Sequence, residues 1–299
     1  MNPISPDEYR QMIANLEGLP SLPSVAAEIL SLRREDKLSV SQMLPTIEKD
    51  PPLALKILKM ANSAFYGQHY KVDNLKQAIV TIGLNDLTYL VLSFSIIKSF
   101  VIEGDQTYWI NWTDFWHHSV SAAHISRSLA KSWNLKLSSD PYAMGLLHDI
   151  GKLVLFRLDP KRFMDTVNTI RDSEESTIDI EMDHFGITHC QAGVWLAEKW
   201  MMPKSIQATI EYHHNPVDCP DSEYRELIGL VRITDQICNT HLPNIVKSNQ
   251  DSPLESLQVW GLIHPDWGEG NAMTDGAIWE QVSDEIPNIN SVLSIIKGN

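Results

Sequence analysis

The run Gly145-Leu146-Leu147-His148-Asp149-Ile150-Gly151-Lys152 carries the clearest chemistry in this chain. An imidazole nitrogen next to a carboxylate oxygen is a donor pair for a divalent first-row ion, and a carboxylate can bridge two ions. Adjacent residues on a straight helix point about 100° apart. For His148 and Asp149 to reach one ion, the helix must end or bend there, and Gly151 offers a place to bend. A buried hydrogen-bonded pair at a helix junction is the plainer reading. The clustering of acid and imidazole favours a metal.

Further donors lie on separate segments among eleven histidines. His118 sits in Trp116-His117-His118-Ser119, and His189 follows Gly186-Ile187-Thr188. His213-His214 closes a helix that begins near Pro203, and Asp235 lies in Val231-Arg232-Ile233-Thr234-Asp235. No spacing among them is a local metal motif, but facing helices of a bundle can bring such residues together. Each has a plain alternative. Paired histidines near a helix C-terminus are favoured as cations. Asp235, with Ile228, Val231 and Ile237 nearby, needs a partner such as a metal or Arg232. Lys152 reads as a solvated lysine or a phosphate contact, and His117 and His124 as ordinary helix residues. Cys190, Cys219 and Cys238 fit neither a disulfide framework nor a zinc pair and read as reduced thiols.

The elements that must position these donors are helices. Ser5-Pro6-Asp7-Glu8 has the form of a capping box. The pattern predicts helices over 24–34, from Ser39, from Pro51 through Met60, from a cap at Asp73, and after Gly83. Asn62-Ser63 ends the third of these by side-chain-to-backbone bonds. A long helix runs over 112–133, and Asp140-Pro141 opens the one that reaches His148. Further helices are expected over 160–173, 177–185, 188–201, 204–214, 222–241 and 277–296. No run shows convincing period-two alternation. The expected fold is all-α: an N-terminal helical lobe over 1–105, a metal-site lobe over 106–245 and a C-terminal extension over 246–299. The first boundary falls at Glu103-Gly104-Asp105-Gln106, and the tryptophans at 109, 112 and 116 are expected to pack core or an interface.

The bulk composition narrows the function classes. With 24 Lys+Arg against 38 Asp+Glu, the net charge is −14, and no basic cluster stands out. Direct nucleic-acid binding is disfavoured. The most apolar stretch, Tyr89 to Phe100, is too short to span a bilayer and is broken by Ser93, Ser95 and Lys98. No signal-peptide pattern opens the chain, so a cytoplasmic, membrane-free protein is expected.

The order of these motifs resembles the HDOD type of the HD superfamily, the HD-related output domain of bacterial signalling proteins. In the first half the resemblance rests on Leu19-Pro20-Ser21-Leu22-Pro23, Asp50-Pro51-Pro52-Leu53, Lys59 through Ala64, and Gln77-Ala78-Ile79 before Ile82-Gly83. In the second it rests on Trp116-His117-His118-Ser119, Gly145 through Lys152, Phe185 through His189, Trp200-Met201-Met202-Pro203 and Tyr212-His213-His214. It covers roughly residues 15–245.

The resemblance implies that His118, His148, Asp149 and Asp235 are the core HD ligands. His189, His213 and His214 match positions that hold a further ion in binuclear relatives. Asp149 and Lys152 become the catalytic candidates, with Lys152 meeting a phosphate oxygen. The implied cofactors are divalent ions, Fe or Mn ahead of Zn, Ni or Mg. The implied role is regulatory, with a mono- or binuclear centre and a helical surface for a signalling partner; an oligomer is compatible with it. The alternative is a metal-dependent phosphohydrolase acting on a nucleotide or phosphoester. The Gly-Tyr-Pro signature of cyclic di-GMP phosphodiesterases is missing, since Asn215-Pro216-Val217-Asp218 follows the paired histidines. Cyclic di-GMP is therefore the disfavoured substrate.

Overall fold

The computed structural model describes residues 5–15, 23–63, 66, 71–100, 112–245, 258–264, 267 and 272–297. Residues 19–22, Ala64, the expected boundary at 103–106 and Trp109 lie outside them. Among the described residues there is no strand, and the fold is all-α.

The helices begin with α1 (Pro6–Asn15), α2 (Ser24–Arg34), α3 (Val40–Glu48), α4 (Pro51–Ala61), α5 (Leu75–Ile82) and α6 (Leu84–Phe100). Then come α7 (Trp112–Ser132), α8 (Pro141–Leu147), α9 (Ile150–Leu158), α10 (Pro160–Asp172), α11 (Thr177–Phe185) and α12 (His189–Lys199). The last are α13 (Lys204–Tyr212), α14 (Ser222–His241), α15 (Trp260–Ile263), α16 (Asp275–Val282) and α17 (Ile286–Lys297).

Side-chain caps set many of these starts. Asp50, Asp140 and Asp159 each accept a bond from a first-turn N–H, and each precedes a proline that fits the first helical position. Ser5 and Glu8 form the expected reciprocal box. Asn62 ends α4 as expected: its amide donates to Leu58 O and Val72 O at 2.8 and 2.7 Å. The cap of α5 is Asn74 rather than Asp73, its side chain accepting from Gln77 N–H at 2.9 Å. Either residue type caps well, and the chain places Asn74 next to the first turn.

The chain forms two compact units: residues 1–19 with 104–284, and residues 20–103 with 285–299. These divisions depart from the expected boundaries at both ends. Helix α1 packs on α12, burying Tyr9 and Ile13. Polar bonds fix it there: Arg162 donates to Tyr9 Oη at 3.0 Å and Lys199 to Ile13 O at 3.0 Å. The C-terminal stretch divides. Helix α16 packs on α7 and α14, whereas α17 packs on α4. The single helix expected over 277–296 is broken at Ser283–Glu285. Pro287 explains the break, because it lacks the N–H that would continue the ladder.

The unit of residues 20–103 with 285–299 has a core of Ile29, Met43, Ile57, Ile79, Leu87 and Ile289, all essentially inaccessible. In the other unit α7, α8, α9, α12, α13 and α14 form the central bundle. Helix α14 contributes a buried stripe of Leu227, Leu230, Val231, Ile233 and Ile237, each worth about 1.5–3 kcal/mol relative to exposure. Two glycines allow the tightest approaches. A Cβ on Gly145 would lie 2.5 Å from Ala122 O of α7, and one on Gly151 would overlap the His189 carbonyl of α12. Gly151 therefore does not bend the chain, as its sequence position suggested. It lies inside α9 and lets two helix backbones touch. The break falls at His148 and Asp149 themselves, between α8 and α9.

Candidate metal centre

The break between α8 and α9 is what aims two adjacent side chains at one point. His148 is the C-cap of α8 with helical backbone angles, and Asp149 is the N-cap of α9. An N-cap aspartate ordinarily spends its carboxylate on the first turn. Asp149 makes no such bond, so both oxygens face the bundle interior.

Those oxygens face two clusters. Asp149 Oδ2 lies 3.4 Å from His148 Nε2 and 3.6 Å from His118 Nε2. Asp235 Oδ1, from α14, closes this group at 3.1 Å from His118 Nε2 and 3.5 Å from His148 Nε2. Asp149 Oδ1 lies 3.3 Å from His189 Nε2 and 3.7 Å from His213 Nε2. His214 Nε2 joins the second group at 3.2 Å from His189 Nε2. The other six donors suggested by the sequence thus come together on the two sides of the Asp149 carboxylate. His118, His148, His189 and His213 are wholly buried and His214 partly so.

The hydrogen bonds fix the ring orientations. His148 Nδ1 donates to Gly145 O at 2.8 Å and His213 Nδ1 to Ile210 O at 3.0 Å. His189 Nδ1 donates to Glu181 Oε2 at 2.7 Å. Carbonyl and carboxylate oxygens only accept, so in each neutral ring Nε2 carries the lone pair. Two of those nitrogens face each other, His189 to His213 at 3.3 Å, while His148 Nε2 lies 3.3 Å from Nε2 of His118, whose Nδ1 is buried without a hydrogen-bond partner. Lone pair against lone pair in a dry interior is unfavourable unless positive charge sits among them. The donor set therefore fits a metal ion on either side of Asp149.

The electrostatics express the same need. Burial opposes charging of His148, but Asp149 and Asp235 outweigh it and push its pKa up to about 9. His189 also lies well above its ordinary value, with Cys190 and Glu181 outweighing burial. His213 and His214 are driven well below by burial and then by neighbouring rings. Burial would raise the Asp149 carboxyl, yet His148 and Lys152 hold it well below the usual range. Asp235 is likewise low, because hydrogen bonds from His118 and His148 outweigh burial. A metal ion binds the deprotonated forms of such ligands and would supply the positive charge itself.

Lys152 is buried, and its Nζ donates to Asp149 Oδ2 at 2.5 Å. It is not a solvated surface lysine. Asp235 meets Arg232, one of the partners its sequence position suggested, at 3.3 Å from Oδ2, and its Oδ1 faces His118 and His148. His117 meets Ser121 Oγ at 3.4 Å, and His124 packs edge-on against Tyr142, both outside the centre.

Two residues beside the centre escaped the sequence reading. Glu181 of α11 is buried and orients His189. Its signal was an acid between Ile180 and Met182, ahead of a candidate histidine. Cys190 has its Sγ 3.6 Å from His189 Nε2. Its signal was adjacency to that histidine, which the odd cysteine count obscured.

Comparison with known proteins bears on the family and the fold. The HDOD domain profile matches residues 19–216. An uncharacterized protein of Treponema pallidum is 26% identical over 219 residues, covering 72% of this chain and 41% of that protein. The chain thus spans less than half the length of that relative. Among solved structures, an HDOD domain protein of Geobacter sulfurreducens superposes with a TM-score of 0.78 at 21% identity, over 96% of each chain. A Shewanella amazonensis protein provisionally named a phosphohydrolase gives 0.71 at 21% identity, over 96% of this chain and 97% of that one. A Marinobacter aquaeolei protein provisionally named for signal transduction gives 0.66 at 22% identity, over 93% of this chain and 59% of that one. At such identities the structural likeness is one of fold. The profile match, extending over more than half of the sequence, makes this chain a member of the HDOD family.

Proposed function

We propose that this chain is a signalling output module that holds two divalent ions and meets a protein partner through its helical surface. The carrying observation is the inward convergence of imidazole Nε2 atoms whose Nδ1 atoms are already committed. His118, His148, Asp149 and Asp235 would hold one ion. His189, His213 and His214 would hold the other, with Asp149 shared. The mixed nitrogen and oxygen donors of the first position suit Fe or Mn ahead of Zn, Ni or Mg. When bound, such ions can acidify a coordinated water and offset phosphate charge.

The enclosure of the centre supports regulation over turnover. Asp149 is 1% exposed and Asp235 4%, and the charge of Lys152 is committed to Asp149. The second reading is hydrolysis of a nucleotide or other phosphoester. Its supports are the complete donor set and the name given to the Shewanella relative. The partner is expected to be a signalling protein, in keeping with the name of the Marinobacter relative.

The test begins with metal analysis of protein purified without chelator. We expect bound metal in the wild type and none in a His148→Ala/Asp149→Ala variant. Metal-free wild-type protein would refute the reading. Phosphodiesterase assays across nucleotides with added Mn or Fe form the second arm. Turnover that disappears in the double variant would replace regulation with catalysis.

A further inference from the structure

We infer that Cys190 is a thiolate ligand of the second metal position, which then has three imidazoles and one sulfur beside the shared Asp149 oxygen. The inference rests on the two-ion reading above and adds an unassigned donor to it. His189, Cys190, His213 and His214 each offer one donor atom, and these lie within 4.8 Å of one another.

Three separations in this group are those of a tetrahedral site, and Cys190 Sγ also lies 4.0 Å from Nδ1 of His213. With metal–nitrogen bonds of about 2.0–2.1 Å and a metal–sulfur bond of about 2.3 Å, a tetrahedron has nitrogen–nitrogen edges of about 3.3 Å and nitrogen–sulfur edges of about 3.6 Å. The structure has 3.3 Å from His189 to His213, 3.2 Å from His214 to His189, and 3.6 Å from Cys190 Sγ to His189 Nε2. Cys190 is also the second residue of α12, directly after His189. The other two thiols are placed differently. Cys219 donates to Asp221 O, and Cys238 is buried in α14 outside both donor groups.

The chemical consequence is an asymmetric pair. The first position has only nitrogen and oxygen donors. A thiolate in the second favours zinc or ferrous iron and disfavours manganese and magnesium. With three imidazoles, a thiolate and the shared Asp149 oxygen, the second position has no fewer than the four protein ligands of structural zinc sites, where catalytic ones keep a place open.

Anaerobic titration of the full chain with Co(II) tests this. The wild type should bind two ions and show sulfur-to-cobalt charge-transfer absorption in the near ultraviolet. Cys190→Ser, a nearly isosteric change, should remove that absorption, leave the first ion in place and weaken the second about tenfold or more. Cys219→Ser and Cys238→Ser should retain the absorption. Two bound ions without the absorption in wild type would overturn the sulfur ligand and leave the two-ion reading standing. Absorption that survives Cys190→Ser would do the same. Failure to bind any cobalt would overturn both.

Discussion

Glu181 Oε2 accepts two hydrogen bonds from His189, one from its backbone N–H at 2.8 Å and one from ring Nδ1 at 2.7 Å. One buried oxygen thereby fixes both the start of α12 and the direction of His189 Nε2. Outer partners of this kind commonly govern metal affinity. Glu181→Ala should weaken the second ion about 10–100-fold and spare the first, as read by competition with a chromophoric chelator. Glu181→Gln keeps an acceptor without the charge and should fall between. Equal loss at both positions would show a general structural defect instead.

Asp149 and Lys152 form a buried charge pair, so removing one member leaves the other uncompensated. In metal-free protein, Asp149→Asn should cost about 3–5 kcal/mol in urea denaturation. Adding Lys152→Met should recover part of that loss. Additive costs would mean that the pair carries no coupling.

Gly151→Ala would force a methyl group into the His189 carbonyl. We expect a loss of about 3 kcal/mol, with displacement of His189 and weakened binding of the second ion. Gly276→Ala, where an added Cβ meets open space, serves as the control. A Gly151→Ala chain as stable as wild type would contradict the close approach of α9 and α12.

His124 predicts a pH dependence separate from the metal ligands. Burial, and then Arg127, lowers its pKa from 6.5 to about 3. Above 6.5 the ring is neutral in both folded and unfolded chains. Below that value the unfolded chain takes a proton that the folded chain refuses, so stability falls with pH until about 3. By pH 5 the loss is about 2 kcal/mol. His124→Phe should show a correspondingly smaller drop between pH 7 and pH 5 in denaturation midpoints. An unchanged drop would remove His124 from the acid response.

Helix positions were legible where a local signal sets them. Asp50-Pro51, Asp140-Pro141 and Asp159-Pro160 combine a cap with a proline that fits the first turn, and α2, α4, α8 and α10 follow the expected positions. The choice between Asp73 and Asn74 was not legible, since both are good caps. His148-Asp149 stood out as a pair. Its partners on α7, α12, α14 and at the end of α13 acquired meaning only through the order of the family's motifs, because no local spacing joins them. Glu181 and Cys190 lay beyond that order. Gly151 was recognised but its use was misread: the constraint comes from α12, distant in sequence and close in space.

The division of the chain also bears on how it is made. The unit containing α2 to α6 takes its last helix, α17, from the far end of the sequence. During synthesis, its first helices leave the ribosome long before the segment that packs on α4. The metal-site unit can gather all its donors once α14 has emerged. Its partner unit lacks Ile289, Val292 and Leu293 until α17 has been made. Closing that span carries a loop entropy that grows only logarithmically with length. The unit of α2 to α6 therefore closes only after every helix of the metal-site unit, from α1 to α16, has been made.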